Sequence, residues 1–563
     1  MRILGENTGE ERRRQGNARW GCSVRYILAF LVLSPASAGT AVAQLDSHRA
    51  DLISTAPSAQ VTPLLDLQHR CERFSPKRIA NGAVLTAVHF EAATPDRPER
   101  CVLKARIVSS PSSTINFRVD LPAPSTWNTK LLVLGGGGFD GMIPTEMDLW
   151  RSLVRFMGIG TQEAFAYVVG STDSGHQARV PFFDLTWAAG NPTALRNHAS
   201  EANHLVLGAM VNLARAFYGK APVRRYIVGG SNGGRQGLMA AQRHPEDYDG
   251  VLAFVPAISQ NATAANLTPL LKHIFSVPEN WLDGKRITRY VAAELAACDE
   301  LDGLKDGVID NYRGCRYDPA ELACRGADTD DCLTLGQIQS LRLFFDDKRV
   351  PVPFADGLIG YPASGRGGSR GEWSFVFGAT FAGREAVNFI LVDNMVKNTI
   401  TGDPNASPMT HDPEHWASQY LAMSELLDTT NPDLSAFARR GGKIIVLHGA
   451  ADYCVSYERT GQYVRSVETR LGKDVTRQFL RYYVAPAVGH GLSGPGADSF
   501  TAFRALEDWV EQGRRPEGLI ASKRDPKTGT VEFTRPLCEY GAYPRFSGSG
   551  DPGDAKNFAC TAY

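Results

Sequence analysis

The chain has 563 residues, and its 60 Lys and Arg residues balance its 60 Asp and Glu residues, so its formal net charge is zero. A balanced charge provides no overall field that would recruit nucleic acid or an anionic membrane, and it favours a local site for a small molecule. The length exceeds that of one ordinary core and predicts two domains, or one domain with a large insertion.

The first residues have the pattern of an export signal. Basic residues between Arg12 and Arg25 precede an apolar run at residues 26–33, and small residues follow up to Ala43. The apolar run is far shorter than the roughly 20 residues that a membrane span needs, and no later stretch is long and apolar enough. We therefore predict a signal peptide over residues 1–43, no membrane span, and a periplasmic or secreted mature protein.

Export matters for the ten cysteines, because an oxidising compartment permits disulfides. Cys22 falls within the signal and Cys454 has no close neighbour in the sequence. The other eight form local pairs, although spacing alone leaves alternative pairings open: Cys71 with Cys101, Cys298 with Cys315, Cys324 with Cys332, and Cys538 with Cys560. No CxxC motif or Cys/His cluster with zinc spacing occurs, so no structural zinc is predicted.

Apolar runs alternate with helical patterns along much of the chain. Residues 83–90 and 101–108 predict antiparallel strands near the start of a sheet. Further on, the sequence predicts a helix over residues 202–217 and buried strands at residues 130–134, 165–169, 225–228, 443–447 and 481–484. Strands and helices in alternation indicate a parallel sheet.

Residues 258–435 have a different pattern, with cysteine loops, Gly- and Ser-rich turns and scattered aromatic residues. We interpret this segment as a lid domain inserted into an α/β core. The catalytic domain is then predicted to consist of residues 44–257 and 436–563, and the inserted segment has the size of a separate domain.

The G-x-S-x-G pattern of a nucleophile elbow occurs at residues 229–233 and again at residues 367–371. In an α/β-hydrolase the nucleophilic serine lies on a sharp turn between a strand and a helix. Only the first copy follows a predicted strand and precedes a plausible helix, over residues 235–243. Ser231 is therefore the predicted nucleophile, with a simple glycine-rich turn as the alternative.

A serine hydroxyl needs a histidine base, and the histidine needs a carboxylate that orients it. In the α/β-hydrolase order these follow the serine as Asp or Glu and then His, each at a strand end. Asp452 follows the strand at residues 443–447, and His490 follows the strand at residues 481–484. The alternatives are a helix-capping role for Asp452 and a structural role for His490.

The oxyanion of an ester reaction needs two backbone donors. The amide of Asn232, directly after the nucleophile, is one candidate, and the glycine loop at residues 135–138 supplies the other, with Gly138 favoured over Gly137. Phosphate binding by this loop is disfavoured, because it lacks the partner residues of both nucleotide-binding glycine motifs.

Carboxylates and glycines are interleaved at residues 298–310, which suits a hard cation with oxygen ligands. A solvated acidic turn is an equal alternative from the sequence alone, because the spacing is not that of an EF-hand.

These residues resemble the tannase and feruloyl esterase family, which also contains mono(2-hydroxyethyl) terephthalate hydrolases. The matching stretches are residues 135–138, 172–176, 217–222, 229–237, 241–245 and 249–250. The resemblance covers roughly residues 70–560. It implies an α/β-hydrolase fold in which Ser231, Asp452 and His490 form the catalytic triad.

The resemblance also implies a structural calcium ion in the lid loop. Its ligands would be the carboxylates of Asp299, Asp302 and Asp306 and the backbone carbonyls of Leu304 and Val308, braced by the disulfide from Cys298 to Cys315. Many family members carry cysteines directly before the serine and after the histidine, and these are joined as a disulfide. This chain has Gly230 and Gly491 there, so its catalytic loops lack that covalent connection.

Family members use the lid to hold aromatic acids. Trp373, Phe375 and Phe377 form an aromatic cluster for stacking, with lid-core packing as the alternative, and Arg384 is a candidate partner for a substrate carboxylate. The predicted function is hydrolysis of esters of aromatic acids, such as feruloyl or galloyl esters. The alternatives are activity on mono(2-hydroxyethyl) terephthalate and a non-catalytic protein that binds phenolic compounds or carbohydrate.

Overall fold

The computed structural model describes residues 66–146, 157–159, 161–357 and 360–563. The predicted signal peptide, residues 1–43, lies outside the described residues. Within the described ranges, no helix combines the length and apolar character that crossing a bilayer requires.

A nine-stranded sheet forms the centre of the protein, with strand order β1-β2-β3-β5-β4-β6-β7-β8-β9. Its strands are β1 Val84–Glu91, β2 Arg100–Ser110, β3 Ser113–Pro122, β4 Lys130–Leu134, β5 Val168–Thr172, β6 Arg224–Gly230, β7 Gly250–Phe254, β8 Lys443–Gly449 and β9 Leu480–Ala485. Three neighbouring pairs are antiparallel, namely β1 with β2, β2 with β3, and β3 with β5. The remaining neighbours in the sheet, from β5 through β4 to β9, pair in parallel. The carboxyl ends of the parallel strands therefore meet at one edge, where loops can converge on a site.

Two short hairpins, β10 Ile520–Arg524 with β11 Val531–Pro536 and β12 Ala542–Phe546 with β13 Phe558–Ala562, follow the sheet. The helices are α1 Leu67–Glu72, α2 Thr161–Ala164, α3 Pro192–Arg196, α4 Ala202–Tyr218, α5 Asn232–Arg243, α6 Gln260–Ile274, α7 Gly284–Cys298, α8 Leu335–Phe345, α9 Val387–Met395, α10 Ala417–Leu427, α11 Ser435–Arg439, α12 Tyr457–Leu471, α13 Lys473–Arg477 and α14 Ala502–Gln512.

One predicted strand is displaced. The apolar run at residues 165–169 was expected to be extended throughout, but β5 begins only at Val168. Phe165 and Tyr167 are buried, and the amide of Ala166 donates to the carbonyl of Glu163 in a turn after α2. An apolar run marks burial, and here burial begins one turn before the chain becomes extended.

The long crossover from β7 to β8 contains helices α6 to α11 and builds its own hydrophobic cluster. Members of this cluster include Leu271 and Tyr290. Two further clusters contain alternate side chains of the central strands, such as Val133 in one and Leu132 in the other. Side chains alternate across a strand, so these two clusters lie on opposite faces of the sheet.

Four disulfides join the pairs predicted from spacing: Cys71–Cys101, Cys298–Cys315, Cys324–Cys332 and Cys538–Cys560. Cys454 is a free thiol. Burial raises the pKa of that thiol well above its ordinary value, and the neighbouring Asp452 carboxylate acts in the same direction.

Candidate active site

Ser231 lies at the turn between β6 and α5 with a φ of 55°, in the left-handed region that side chains rarely adopt. Its amide donates to the carbonyl of Phe254 over 2.9 Å. The turn is tight enough that a Cβ added to Gly229 would lie 2.5 Å from the backbone of Gly233. This strained, glycine-dependent turn is the local structure that G-x-S-x-G predicts.

The three predicted catalytic residues lie in one hydrogen-bonded chain. Nε2 of His490 is 3.1 Å from Oγ of Ser231, and Nδ1 of the same ring is 2.8 Å from Oδ2 of Asp452. The parallel strands β6, β8 and β9 deliver these residues to the same sheet edge, although 259 positions separate the serine from the histidine.

Asp452 is completely buried, and its carboxylate is held on both oxygens. Oδ1 accepts the amides of Cys454 and Val455 at 2.9 and 2.8 Å, and Oδ2 lies 3.2 Å from Nε2 of the buried His448. Burial opposes ionisation, but pairing with His490 and the contact with His448 lower the pKa of Asp452 below its ordinary value. The group is therefore a permanent anion beneath the histidine.

The environment of His490 favours its charged form. Burial opposes the charge, but the Asp452 carboxylate, followed by that of Glu372, raises the pKa of His490 above its ordinary value. The side chain is 15% exposed. A base with a raised pKa holds the serine proton more firmly once it has accepted it.

Glu372 was not predicted from the sequence. This buried lid residue accepts the backbone amide of His490 on Oε2 over 3.1 Å. Burial, together with the charge of Asp452, raises the pKa of Glu372 to about 7. Gly489 permits the approach, because a Cβ there would lie 2.0 Å from the glutamate carboxyl. The lid therefore reaches the histidine loop directly.

Of the two expected oxyanion donors, Asn232 directly follows the nucleophile and Gly138 lines the same cavity. Asn232 is the first residue of α5, so its amide has no acceptor within the helix. Gly136, Gly137 and Gly138 line the same cavity as Ser231. Gly138 has a φ of 53°, and a Cβ there would lie 2.3 Å from the carbonyl oxygen of Phe182, so only glycine fits without rearrangement.

A buried polar cluster under the glycine loop was also missed. The carboxylate of Asp140 accepts short hydrogen bonds from the side chains of Asn232, Ser174 and Gln236. The amide of Gly136 donates to Gln236 over 3.1 Å. Burial raises the pKa of Asp140 to about 6. The cluster therefore connects the glycine loop to the nucleophile helix through Gly136 and Asn232.

A cavity of about 210 Å³ opens at Ser231 and His490. Its described apolar wall is formed by Phe182, Phe183, Phe254, Val255, Phe375, Val387, Leu391 and Leu492. Polar groups are few, namely Glu372, Ser374, Cys454 and Ser493 besides the serine and histidine.

The four predicted substrate contacts separate in the structure. Phe375 lines the cavity, with its ring centroid 5.6 Å from that of His490. Trp373 and Phe377 are fully buried in the lid cluster, and they are absent from the described cavity wall. Arg384 also lies outside this wall, with its guanidinium 5.7 Å from the centre of the Phe389 ring.

The predicted calcium loop is compact and acidic. Asp299 accepts the amide of Gly307 over 3.1 Å, and Asp302 accepts the amides of Leu304 and Asp310 at 3.0 Å each. Burial, and to a lesser extent the neighbouring carboxylates, raise the pKa of Asp302 to about 7.

Charge compensation in this loop is partial. The guanidinium of Arg535 pairs with Asp306 and, at 3.3 Å, with Asp310. The carbonyl of Val308 accepts the Asp310 amide over 3.1 Å. Carboxylates and backbone carbonyls suit a hard divalent ion, but Asp299, Asp302 and Asp306 are not among the described groups whose ligand atoms lie within 4.8 Å of one another.

Comparisons with known proteins show which family the chain resembles. The model of the family described as tannase and feruloyl esterase matches residues 100–561. An uncharacterised esterase of Agrobacterium fabrum is 31% identical, with 79% of this chain and 82% of that protein covered. A mono(2-hydroxyethyl) terephthalate hydrolase of Piscinibacter sakaiensis is 29% identical, with 83% and 85% covered.

The solved structure of feruloyl esterase B from Aspergillus oryzae superposes with a TM-score of 0.75 at 23% identity, covering 88% of this chain and all of that one. At that identity the likeness concerns the fold, and it confirms the predicted α/β-hydrolase fold. Because the family model matches most of this chain, the chain belongs to the tannase and feruloyl esterase family of carboxylic ester hydrolases.

Proposed function

We propose that the protein is an exported serine esterase that hydrolyses uncharged esters of aromatic carboxylic acids through an acyl-enzyme. The observation that carries this proposal is the hydrogen-bonded chain from Ser231 through His490 to Asp452 at the floor of an aromatic cavity. Four disulfides among the described residues are consistent with an oxidising compartment.

In the acylation step, Oγ of Ser231 attacks the ester carbonyl while Nε2 of His490 takes its proton. The amides of Asn232 and Gly138 donate to the oxyanion that forms. The intermediate collapses, the bond to the alcohol breaks, and the alcohol oxygen leaves with the proton from His490. Asp452 stabilises the imidazolium and fixes its tautomer.

Deacylation repeats these roles with water as the nucleophile. His490 takes a proton from water as its oxygen attacks the acyl carbonyl, and then returns it to Ser231 Oγ as the acid is released. The enzyme is regenerated and one ester bond has been exchanged for an acid and an alcohol.

The cavity wall supports an aromatic and neutral acyl group. Phe375 and Phe182 offer ring faces or edges, and aromatic pairs contribute about 0.5–1.5 kcal/mol beyond the area they bury. No Lys or Arg occurs among the described wall residues, whereas the carboxyl of Glu372 does. A substrate with its own carboxylate would meet this acid without a compensating cation, which disfavours a terephthalate monoester.

We further propose that calcium occupies the loop of Asp299, Asp302 and Asp306, with the carbonyls of Leu304 and Val308. The charge on these carboxylates is only partly compensated by Arg535. The ion would be structural, because the loop contributes no residue to the described cavity wall.

The replacement Ser231→Ala tests the nucleophile. Loss of a serine nucleophile lowers kcat by about 10⁶-fold in a serine hydrolase, so release of ferulate from methyl ferulate should fall to background. A fluorophosphonate probe should label the native protein at Ser231 and leave the variant unlabelled. Undiminished hydrolysis by the variant, or labelling elsewhere, would refute the assignment.

Substrate class is tested with methyl ferulate, methyl gallate, mono(2-hydroxyethyl) terephthalate and an aliphatic methyl ester. We expect the highest kcat/KM on an uncharged aromatic ester. A preference for the terephthalate monoester would overturn the charge argument while leaving the nucleophile assignment intact. A protein that binds these esters without cleaving any would be the non-catalytic relative.

A further inference from the structure

A second cluster of metal-ligating side chains lies away from the cavity. His204 is on α4, and His244 and Asp247 follow directly after α5. Helix α5 starts next to Ser231 and has 12 residues, so at about 1.5 Å per residue its far end is about 18 Å from the nucleophile. The cluster is therefore independent of the proposed esterase site.

The three side chains already face one another. One nitrogen from each histidine and one carboxylate oxygen of Asp247 lie within 4.8 Å of one another. Nδ1 of His204 is 2.9 Å from Oδ2 of Asp247, and the two imidazole rings are stacked with centroids 4.1 Å apart. Donor atoms about 2.0–2.2 Å from a tetrahedral zinc ion lie about 3.3–3.6 Å from one another, so rotations that turn the stacked rings toward a common point would complete three ligands.

One atom of this cluster lacks a hydrogen bond. Nε2 of His244 is buried and has no hydrogen-bond partner among the described residues, while Oε1 of Glu201 lies 3.6 Å away. A buried polar nitrogen without a partner is costly, and a cation between it and the carboxylate would satisfy both. Glu201 and His204 are 43% and 35% exposed on their side chains, so an ion can enter from solvent.

The donor set selects the class of ion. Two imidazole nitrogens with carboxylate oxygens suit zinc and similar borderline cations, whereas calcium prefers oxygen ligands alone. The other cluster of this kind within the described ranges contains Cys324 and Cys332, which are joined in a disulfide and cannot act as thiolate ligands.

We propose that His204, His244 and Asp247 form a zinc site, with Glu201 as the fourth ligand, that joins the start of α4 to the end of α5. On binding, His204 ligates through an unprotonated Nδ1, and the one proton of the neutral ring is then carried on Nε2. The ion would stabilise this helix pair and take no part in ester hydrolysis.

The test uses untagged mature protein, stripped with a chelator and titrated with zinc chloride by calorimetry in excess calcium, which saturates oxygen-only sites. We expect one zinc per chain. Each of the variants His204→Ala and His244→Ala should bind zinc at least about tenfold more weakly, the range seen when ligand shells are disturbed. Kcat on methyl ferulate should be unchanged.

Two matched controls separate this site from others. The double variant His69→Ala with His89→Ala replaces two exposed histidines that each face one carboxylate, and it should bind zinc with the wild-type affinity. His490→Ala should keep it too, since that residue belongs to the catalytic chain.

Several results would overturn the proposal. The first is wild-type protein that does not bind one zinc per chain. The second is a His204→Ala or His244→Ala variant that binds zinc as tightly as the wild type does. The third is loss of zinc binding in the His490→Ala variant alone. If the variants do not fold, zinc-edge X-ray absorption on the wild type decides. Two imidazole ligands support the site, and one or none excludes it.

Discussion

Replacing Glu372 by glutamine tests whether the lid controls the protonation of the catalytic histidine. The carboxyl accepts the His490 amide over 3.1 Å, and its charge raises the pKa of that imidazole after the larger contribution of Asp452. Glutamine keeps the size and an oxygen acceptor but removes the charge. We therefore expect the pKa of His490 to fall in the variant.

The size of the shift follows from Coulomb's law. For any two unit charges about 6 Å apart at an effective dielectric constant of about 20, the interaction is about 3 kcal/mol. The pKa of Glu372 is itself raised to about 7, so the group is only partly ionised while His490 titrates. The fall in the pKa of His490 should therefore be smaller than the loss of a fully ionised neighbour would cause.

The assay is the pH dependence of kcat/KM on methyl ferulate. His490 must be neutral to act as a base, so activity rises with pH through its pKa, and the acid limb of the Gln variant should move to lower pH. Glu372→Ala should move the acid limb in the same direction and also lower kcat at every pH, because it leaves the partly buried His490 amide without this acceptor, at a cost of about 1–3 kcal/mol. An unmoved acid limb in the Gln variant would refute the electrostatic role.

Three further outcomes follow from the loops around the site. Chelation of calcium should lower the melting temperature, and Asp302→Asn should make the melting temperature less dependent on calcium. An unchanged melting temperature with chelator would contradict the calcium proposal. The double variant Gly230→Cys with Gly491→Cys should form a disulfide and raise the melting temperature. Both positions line one cavity, and a Cβ atom added at either meets nothing closer than 3.6 Å. Separate thiols on non-reducing mass spectrometry would show that the loops are too far apart. Cys454 should react with iodoacetamide more slowly in the folded protein than after unfolding, because its environment raises the pKa of the thiol even though it lines the cavity. Equal rates before and after unfolding would contradict this.

Local pattern was sufficient where a feature depends on neighbouring residues. The turn at Ser231 is encoded by glycines on both sides of the serine, and all four disulfides join cysteines between 8 and 30 positions apart. The order of nucleophile, acid and base predicted which side chains meet, because successive parallel strands end at the same edge of a sheet.

The aromatic cluster of the lid shows where local pattern left two interpretations open, substrate stacking and core packing. Trp373 and Phe377 are four positions apart, and the amide of Phe377 donates to the carbonyl of Trp373 over 2.9 Å, as in one turn of a helix. They therefore share a buried face, while Phe375 points to the cavity. The sequence showed three aromatic residues but not the helical turn that divides them.

The sequence by itself indicated the α/β order and the nucleophile turn, and it supplied candidates for the acid, the base and the disulfide pairs. Tertiary structure alone decided that Glu372 meets His490 across 118 positions, that Asp140 joins the glycine loop to Asn232, and that His204 faces Asp247. The physical reason is that a hydrogen bond depends on distance in space. The spacing of polar residues along the sequence does not indicate which residue of a distant helix or strand will lie within that distance.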